Sequence, residues 1–212
     1  MKPRYIAIEG PIGVGKSSLA KLLAEELDAR LVLEDVEENP FLQKFYEDRE
    51  KYAFQAQLFF LLSRYRHQAE LVQQDLFQQV TVSDYLFDKD RIFAQVNLSD
   101  DELALYEQIY GMLDASVMRP DLVVYLQASP KVLLDRVKKR NKDYEKPIDT
   151  DYLAKLSEAY SNYFFHFNET SLLVVNTDHI DFMKTREDFD ALLKEILRTK
   201  RGIQYFVPLG SG

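Results

Sequence analysis

At 212 residues the chain is long enough to bury one hydrophobic core and short for two, so a single α/β domain spanning residues 1–212 is expected. A net charge of −8 argues against nucleic acid as a main partner, because binding a phosphate backbone needs a basic face. The absence of cysteine excludes a disulfide framework or thiolate metal site, and no apolar run approaches a membrane span or signal-peptide core, so a soluble cytoplasmic protein with no membrane partner is expected.

The run Tyr5-Ile-Ala-Ile-Glu9 predicts a buried strand, and residues 18–27 predict a helix. Residues 30–34 read as a second strand ending in the carboxylate of Glu34, after which Glu37-Glu-Asn-Pro40 breaks the chain. A helical turn over 41–46 leads to a long helix over 52–74 that contains neither Gly nor Pro and is apolar on more than one face. Residues 79–83 predict a third strand running into Asp84, followed by a mixed segment over 86–94. Ser99-Asp-Asp-Glu102 has the form of a helix cap with an acidic first turn, opening a helix to about Met118 that Arg119-Pro120 ends. Asp121–Leu126 reads as a strand buried on both faces, and Ser129-Pro130 caps the next helix. A polar loop over 140–147, a helix over 149–167, a last strand over 171–175, a closing helix over 186–199 and a loosely held tail over 206–212 complete the chain. Five strands alternating with helices predict a parallel sheet with right-handed crossovers and helices on both faces. Ligands then sit beyond the carboxyl ends of the strands, a rim expected to carry Glu9, Glu34 and Asp84.

Between the first strand and helix lies Gly10-Pro11-Ile12-Gly13-Val14-Gly15-Lys16-Ser17, with Ser18 following, which fits the phosphate-binding pattern G-x-x-x-x-G-K-[ST]. Glycines let the backbone wrap an anion, and the helix N-terminus adds roughly half a positive charge behind the loop amides. Lys16 is expected on the β/γ-phosphates, and the Ser17 hydroxyl on Mg²⁺. A nucleoside triphosphate is implied, with its acceptor left open.

Phosphoryl transfer asks for cations around the γ-phosphate and a carboxylate near the attacking oxygen. Glu34 fits the second need, as a base for a substrate hydroxyl; a capping or surface acid fits the same position equally well. Arg136, Lys139 and Arg140, at a helix end on the ligand rim, fit the first as a lid over about 136–147. A solvated basic helix end is the plainer alternative.

At these residues the chain resembles the deoxynucleoside kinases, P-loop enzymes that phosphorylate the 5′-hydroxyl of a deoxynucleoside, over nearly its whole length. The resemblance rests on Glu34 within Leu33-Glu-Asp-Val-Glu-Glu-Asn-Pro-Phe, Tyr46 within Lys44-Phe-Tyr-Glu-Asp, Gln57 followed by Ser63-Arg64, Pro120-Asp-Leu-Val-Val-Tyr-Leu, and Arg136-x-x-x-Arg140. It implies a P-loop kinase fold, ATP as phosphate donor with Mg²⁺, a small-molecule deoxynucleoside substrate, a homodimer and a place in nucleotide salvage. It also implies that Glu34 is the base, that Tyr46 and Glu145 hold the sugar 3′-hydroxyl, and that Gln57 and Arg64 lie at the nucleobase. Phe45, Phe54, Phe60 and Phe87 are candidates to sandwich that base, although Phe at such spacings commonly belongs to the core.

The family's third strand usually ends Glu-Arg-Ser or Asp-Arg-Ser, whereas this chain reads Val82-Ser83-Asp84-Tyr85-Leu86. In the preferred register Asp84 takes the acid's place, near Mg²⁺ through water, and Asp90 falls near a base-reading aspartate; in the other, Asp84 replaces the arginine. The variant ending is similar to that of bacterial deoxyguanosine kinase-like members and points toward purine substrates. A nucleoside monophosphate kinase is the nearest rival, but Tyr46 and Glu145 suit a neutral sugar. Asn141-Lys142-Asp143 lacks the spacing of a GTPase guanine motif, and intact Lys16, Ser17 and Glu34 argue against a non-catalytic nucleotide sensor.

Overall fold

The computed structural model describes residues 3–74, 80–114 and 117–208. β1 (Tyr5–Glu9) is followed by α1 (Lys16–Glu26), β2 (Arg30–Val32), α2 (Leu42–Glu47) and α3 (Arg49–Gln74). Next come β3 (Thr81–Ser83), α4 (Lys89–Asn97), α5 (Asp100–Asp114), β4 (Leu122–Gln127), α6 (Pro130–Arg140) and α7 (Thr150–Phe165). β5 (Ser171–Asn176), α8 (Arg186–Arg198) and β6 (Ile203–Phe206) follow. The strands form one parallel sheet in the order β2-β3-β1-β4-β5-β6.

The sheet has six strands where five were expected. Ile203 to Phe206 pairs with Leu172 to Val175 at the sheet edge, so Phe206, expected in the loose tail, ends a strand. An edge strand with half its residues exposed carries little apolar signal of its own. Residues 209–212 of that tail, Gln79 of the third expected strand and residues 115–116 of the helix expected to reach Met118 lie outside the described residues.

Side chains of a strand alternate between its two faces, and both faces of β1 and β4 are covered. Ile6, Ile8, Val124 and Leu126 share one core with Leu19 and Leu23 of α1, Leu133 of α6 and Leu192 of α8. Ala7, Val123 and Tyr125 share the other with Ile92 of α4 and Leu156, Tyr160 and Phe164 of α7. Tyr125 stacks on Phe164 with ring centroids 4.2 Å apart. Burying each large side chain contributes about 1.5–3 kcal/mol, so the two apolar faces hold the central strands rigid beneath the loop that leaves β1.

Glu9 departs from its expected place on the ligand rim. It is fully buried, accepting hydrogen bonds from the Gly10 amide (2.8 Å), the Leu86 amide (2.8 Å) and the Tyr160 hydroxyl (2.9 Å). Burial raises its carboxyl above the ordinary value. Glu9 therefore anchors the start of the loop to the segment after β3 and to α7.

Candidate active site

Between β1 and α1 the chain turns through glycines at positions where a side chain would be strained. Gly10 and Gly13 have φ of +148° and +86°. A Cβ would lie 2.4 Å from the Leu126 carbonyl oxygen at Gly10, and 2.7 Å from that of Leu133 at Gly13. α1 begins at Lys16, two residues earlier than expected, and its N-cap Gly15 supplies no side-chain cap. Its first amides are thus left for an anion. Lys16 Nζ donates to the carbonyls of Gly10 (2.7 Å) and Pro11 (3.1 Å). Burial, and next the charge of Lys89, lowers the Lys16 ammonium to about 8 against the pull of Glu9, Asp84 and Glu34.

Two cavities open on this loop. One, of about 1210 Å³, is walled by Gly13 to Ser18, Arg136, Lys139, Arg140 and Ile180 to Lys184. The other, of about 820 Å³, is walled by Glu34, Tyr46, Gln57, Arg64, Lys89 and Glu145 among others. Gly13, Lys16, Ser17 and Arg140 line both, so the cavities meet at the end of the loop.

Asp84, just beyond β3, stands at that meeting point. Its Oδ2 accepts the Ser17 hydroxyl at 2.5 Å and its Oδ1 accepts the Glu34 amide at 2.8 Å. This places Asp84 against the loop and the segment after β2. Ser17 and Asp84 together present hard oxygen donors, a set that suits Mg²⁺ shared with phosphate oxygens and water. Among the described residues no cluster of three or more His, Cys, Asp or Glu is arranged to hold a metal without such additional ligands.

Glu34 lies two residues beyond β2, with its carboxylate in the second cavity. Arg64 of α3 pairs with its Oε1 and Lys89 of α4 with its Oε2, both ion pairs being buried. Burial alone raises a carboxyl, but Arg64 and Lys89 outweigh it and hold Glu34 down to about 2. Arg64 also pairs with Asp90, and the two carboxylates raise the guanidinium pKa in spite of its burial. Asp90 is fully buried behind Arg64, and its Oδ2 has no hydrogen-bond partner among the described residues.

Around the same cavity, Tyr46 and Gln57 are buried, and Tyr46 stacks on Tyr144 with centroids 6.3 Å apart. Burial puts the Tyr46 phenol well above its ordinary pKa. Glu145 is buried too, accepting from Arg140 at 3.0 Å and 2.5 Å. Arg136, on the first cavity, donates to Val14 O (3.3 Å), Thr177 O (2.8 Å) and Thr177 Oγ1 (3.0 Å). Phe45 and Phe60 line the second cavity. Phe87 instead stacks on Tyr110 in a core cluster that Phe54 packs against, which removes both from the candidates for a base sandwich.

Lys89 was not singled out from the sequence. In Phe87-Asp-Lys-Asp-Arg91 it reads as a solvated charge, yet every residue from Val82 to Asp90 is buried. The segment Ile180 to Lys184 was likewise missed, because only the fold brings it beside Gly15 and Arg136.

A model of the deoxynucleoside kinases matches residues 6–200. The chain belongs to the deoxynucleoside kinase family. It is 35% identical over 197 residues to a deoxyguanosine kinase of Bacillus subtilis, covering 91% of this chain and 95% of that protein. It is 31% identical over 207 residues to a deoxyadenosine kinase of Lactobacillus acidophilus, covering 91% and 94%. A solved structure of deoxyadenosine kinase from M. mycoides with bound dATP matches with a TM-score of 0.79 at 25% identity, covering 91% of this chain and 98% of that one. The protein is thus an ATP-dependent deoxynucleoside kinase with a P-loop kinase fold, and the monophosphate-kinase and sensor readings give way.

Proposed function

We propose that this deoxynucleoside kinase transfers the γ-phosphate of ATP, with Mg²⁺, to the 5′-hydroxyl of a purine deoxynucleoside across the junction of its two cavities. The observation that carries this reading is the shared wall of Gly13, Lys16, Ser17 and Arg140, with the Glu34 carboxylate on one side only. The triphosphate belongs on the loop side, where free helix amides, Lys16, Arg136 and Arg140 supply positive charge. The nucleoside belongs beside Glu34, with Tyr46 and Glu145 at the sugar 3′-hydroxyl and Gln57 at the base edge. Arg64 lines the cavity at the base, and Asp90, buried behind it, pairs with the guanidinium. Ser17, and Asp84 through water, would hold Mg²⁺, which would neutralise phosphate charge when bound.

The purine preference is supported by relatives named as deoxyguanosine and deoxyadenosine kinases. A single domain fits the one continuous sheet, with residues 136–147 as its lid. A cytoplasmic homodimer completes the reading. Leu105 and Met112, 50% and 78% exposed and seven residues apart on α5, form apolar surface of the kind a second copy covers. A radiometric screen of the four deoxynucleosides and their monophosphates with Mg-ATP tests the reading. Phosphorylation of deoxyguanosine or deoxyadenosine ahead of the pyrimidine nucleosides is expected. A pyrimidine preference rejects the purine assignment, and phosphorylation of monophosphates alone rejects the neutral-sugar assignment.

A further inference from the structure

Lys89 is the first residue of α4, a helix that starts close behind the carboxyl end of β3, and it sits in the cavity wall with 7% of its surface exposed. A buried ammonium is costly unless it is paired, and its charge partner here is Glu34 Oε2. The other Glu34 oxygen is already held by Arg64. Both Asp84 oxygens are taken by the Ser17 hydroxyl and the Glu34 amide. Lys89 is also close enough to Lys16 for their like charges to oppose each other. Lys16 and Lys89 both line the acceptor cavity, and Lys16 lines the donor cavity as well. Like charges held together in a buried site are matched to a ligand that brings several negative charges.

We propose that Lys89 is a catalytic cation that contacts the acceptor 5′-oxygen and the transferring γ-phosphoryl group. This rests on the 5′-kinase reading of the site. When the nucleoside 5′-hydroxyl approaches Glu34 Oε2, it takes the position that Lys89 Nζ occupies there, and Lys89 turns to the oxygens gathering between substrate and donor. The 5′-oxygen forms its bond to the γ-phosphorus as the bond to the β,γ-bridging oxygen breaks. The 5′-hydroxyl proton passes to Glu34, ADP leaves with the bridging oxygen, and Lys89 keeps its proton throughout. Its contribution is charge, greatest where charge spreads over the transferring oxygens. In the resting arrangement the same ammonium holds the Glu34 carboxylate in place.

Lys89→Met and Lys89→Arg test the assignment by steady-state kinetics and by calorimetric binding of deoxynucleoside. Lys89→Met is expected to lose about 100- to 1000-fold in kcat. Its nucleoside Kd and its KM for ATP stay within about threefold of the parent. Lys89→Arg recovers at least a tenth of the parent kcat. In Lys89→Met the acid limb of the kcat/KM profile moves to higher pH, since Glu34 has lost one of the two cations that depress it. Lys89→Gln, which keeps a hydrogen bond to Glu34 without the charge, gives the same reading should the Met variant fail to fold. A kcat within threefold of the parent in the uncharged variants overturns the proposal, as does a loss expressed wholly in nucleoside Kd with no rescue by arginine. Glu34→Gln separates this from the site reading. If it turns over normally while Lys89→Met does not, Glu34 is not the base and Lys89 stands. If Glu34→Gln is inactive and Lys89→Met is not, only the lysine assignment fails.

Discussion

The Ser17 hydroxyl donates to Asp84 Oδ2 at 2.5 Å, tying the phosphate loop to the end of β3. Because the other oxygen of Asp84 accepts the Glu34 amide, one carboxylate fixes both the loop and the residue that faces the acceptor. Asp84→Asn keeps the shape of the side chain but replaces one acceptor oxygen by a donor and removes the charge. The expected result is a fall in kcat of about 100-fold, with a higher Mg²⁺ concentration needed for half-maximal rate. A Mg²⁺ titration of kcat decides it, and an unchanged Mg²⁺ requirement rejects Asp84 as part of the metal's outer shell.

Glu34→Gln should fold and bind nucleoside while losing about 100- to 10,000-fold in kcat, the range a positioned general base supplies. Stability provides a second readout. The folded-state pKa of about 2 lies below the ordinary 4.5, so Glu34 stabilises the fold above pH 4.5 and loses that contribution as pH falls toward 2. The shift corresponds to about 3 kcal/mol. Replacing Glu34 leaves Arg64 and Lys89 with less compensation. The Tm gap between parent and Glu34→Gln should therefore be wide at pH 7 and narrow toward pH 3. Thermal melts across that interval check the sign, and a gap that widens on acidification rejects it.

Much of this site is legible from residue spacing, and the remainder depends on tertiary placement. The phosphate loop is readable because Gly10, Gly13, Gly15, Lys16 and Ser17 each meet a local backbone or charge requirement. The central strands are readable because burial on both faces leaves no polar residue in Leu122 to Leu126. Glu34 is readable from its place at a strand end, Tyr46, Gln57 and Glu145 only through the family resemblance, and all four converge on one cavity. Glu9 was misplaced because a carboxylate at a strand end has the same sequence appearance whether it faces ligand or accepts from Gly10, Leu86 and Tyr160. Lys89 was passed over because its burial comes from the packing of α3 against α4 and from its pairing with Glu34. β6 was missed because pairing at the sheet edge, rather than apolar content, makes it a strand.

Gly10→Ala tests the packing of the loop against the sheet. The added methyl meets the Leu126 backbone oxygen at 2.4 Å and the backbone sits at φ +148°, so neither a rotamer change nor a side-chain shift relieves it. A loss of about 1–3 kcal/mol is expected, with a raised KM for ATP as the loop moves off its amides. Chemical denaturation and ATP kinetics measure the two effects. Parent-like values for both count against the close approach of loop and β4.

Gln57 is 2% exposed on the wall of the acceptor cavity, where its amide can both donate to and accept from a base edge. Gln57→Ala should cost about 1–3 kcal/mol in nucleoside binding, a rise of roughly 5- to 150-fold in KM, with the KM for ATP nearly unchanged. Equal effects on the two substrates would mean that Gln57 supports the fold rather than reading the base.

Glu145 closes the lid side of the acceptor cavity. Arg140 donates to both of its oxygens and Tyr144 stacks on Tyr46, so one short segment aligns a carboxylate and a phenol. If that pair receives the sugar, the loss on deleting the 3′-hydroxyl should depend on Glu145. The parent enzyme is expected to prefer a 2′-deoxynucleoside over its 2′,3′-dideoxy analogue by about 10- to 100-fold in kcat/KM, the value of a hydrogen bond to a charged group. In Glu145→Ala that preference should shrink several-fold, because the deoxynucleoside loses a contact its analogue never made. Glu145→Gln, which retains an acceptor oxygen, should fall between the two. A preference that survives intact in Glu145→Ala removes Glu145 from the sugar site and leaves it as the partner that orders Arg140.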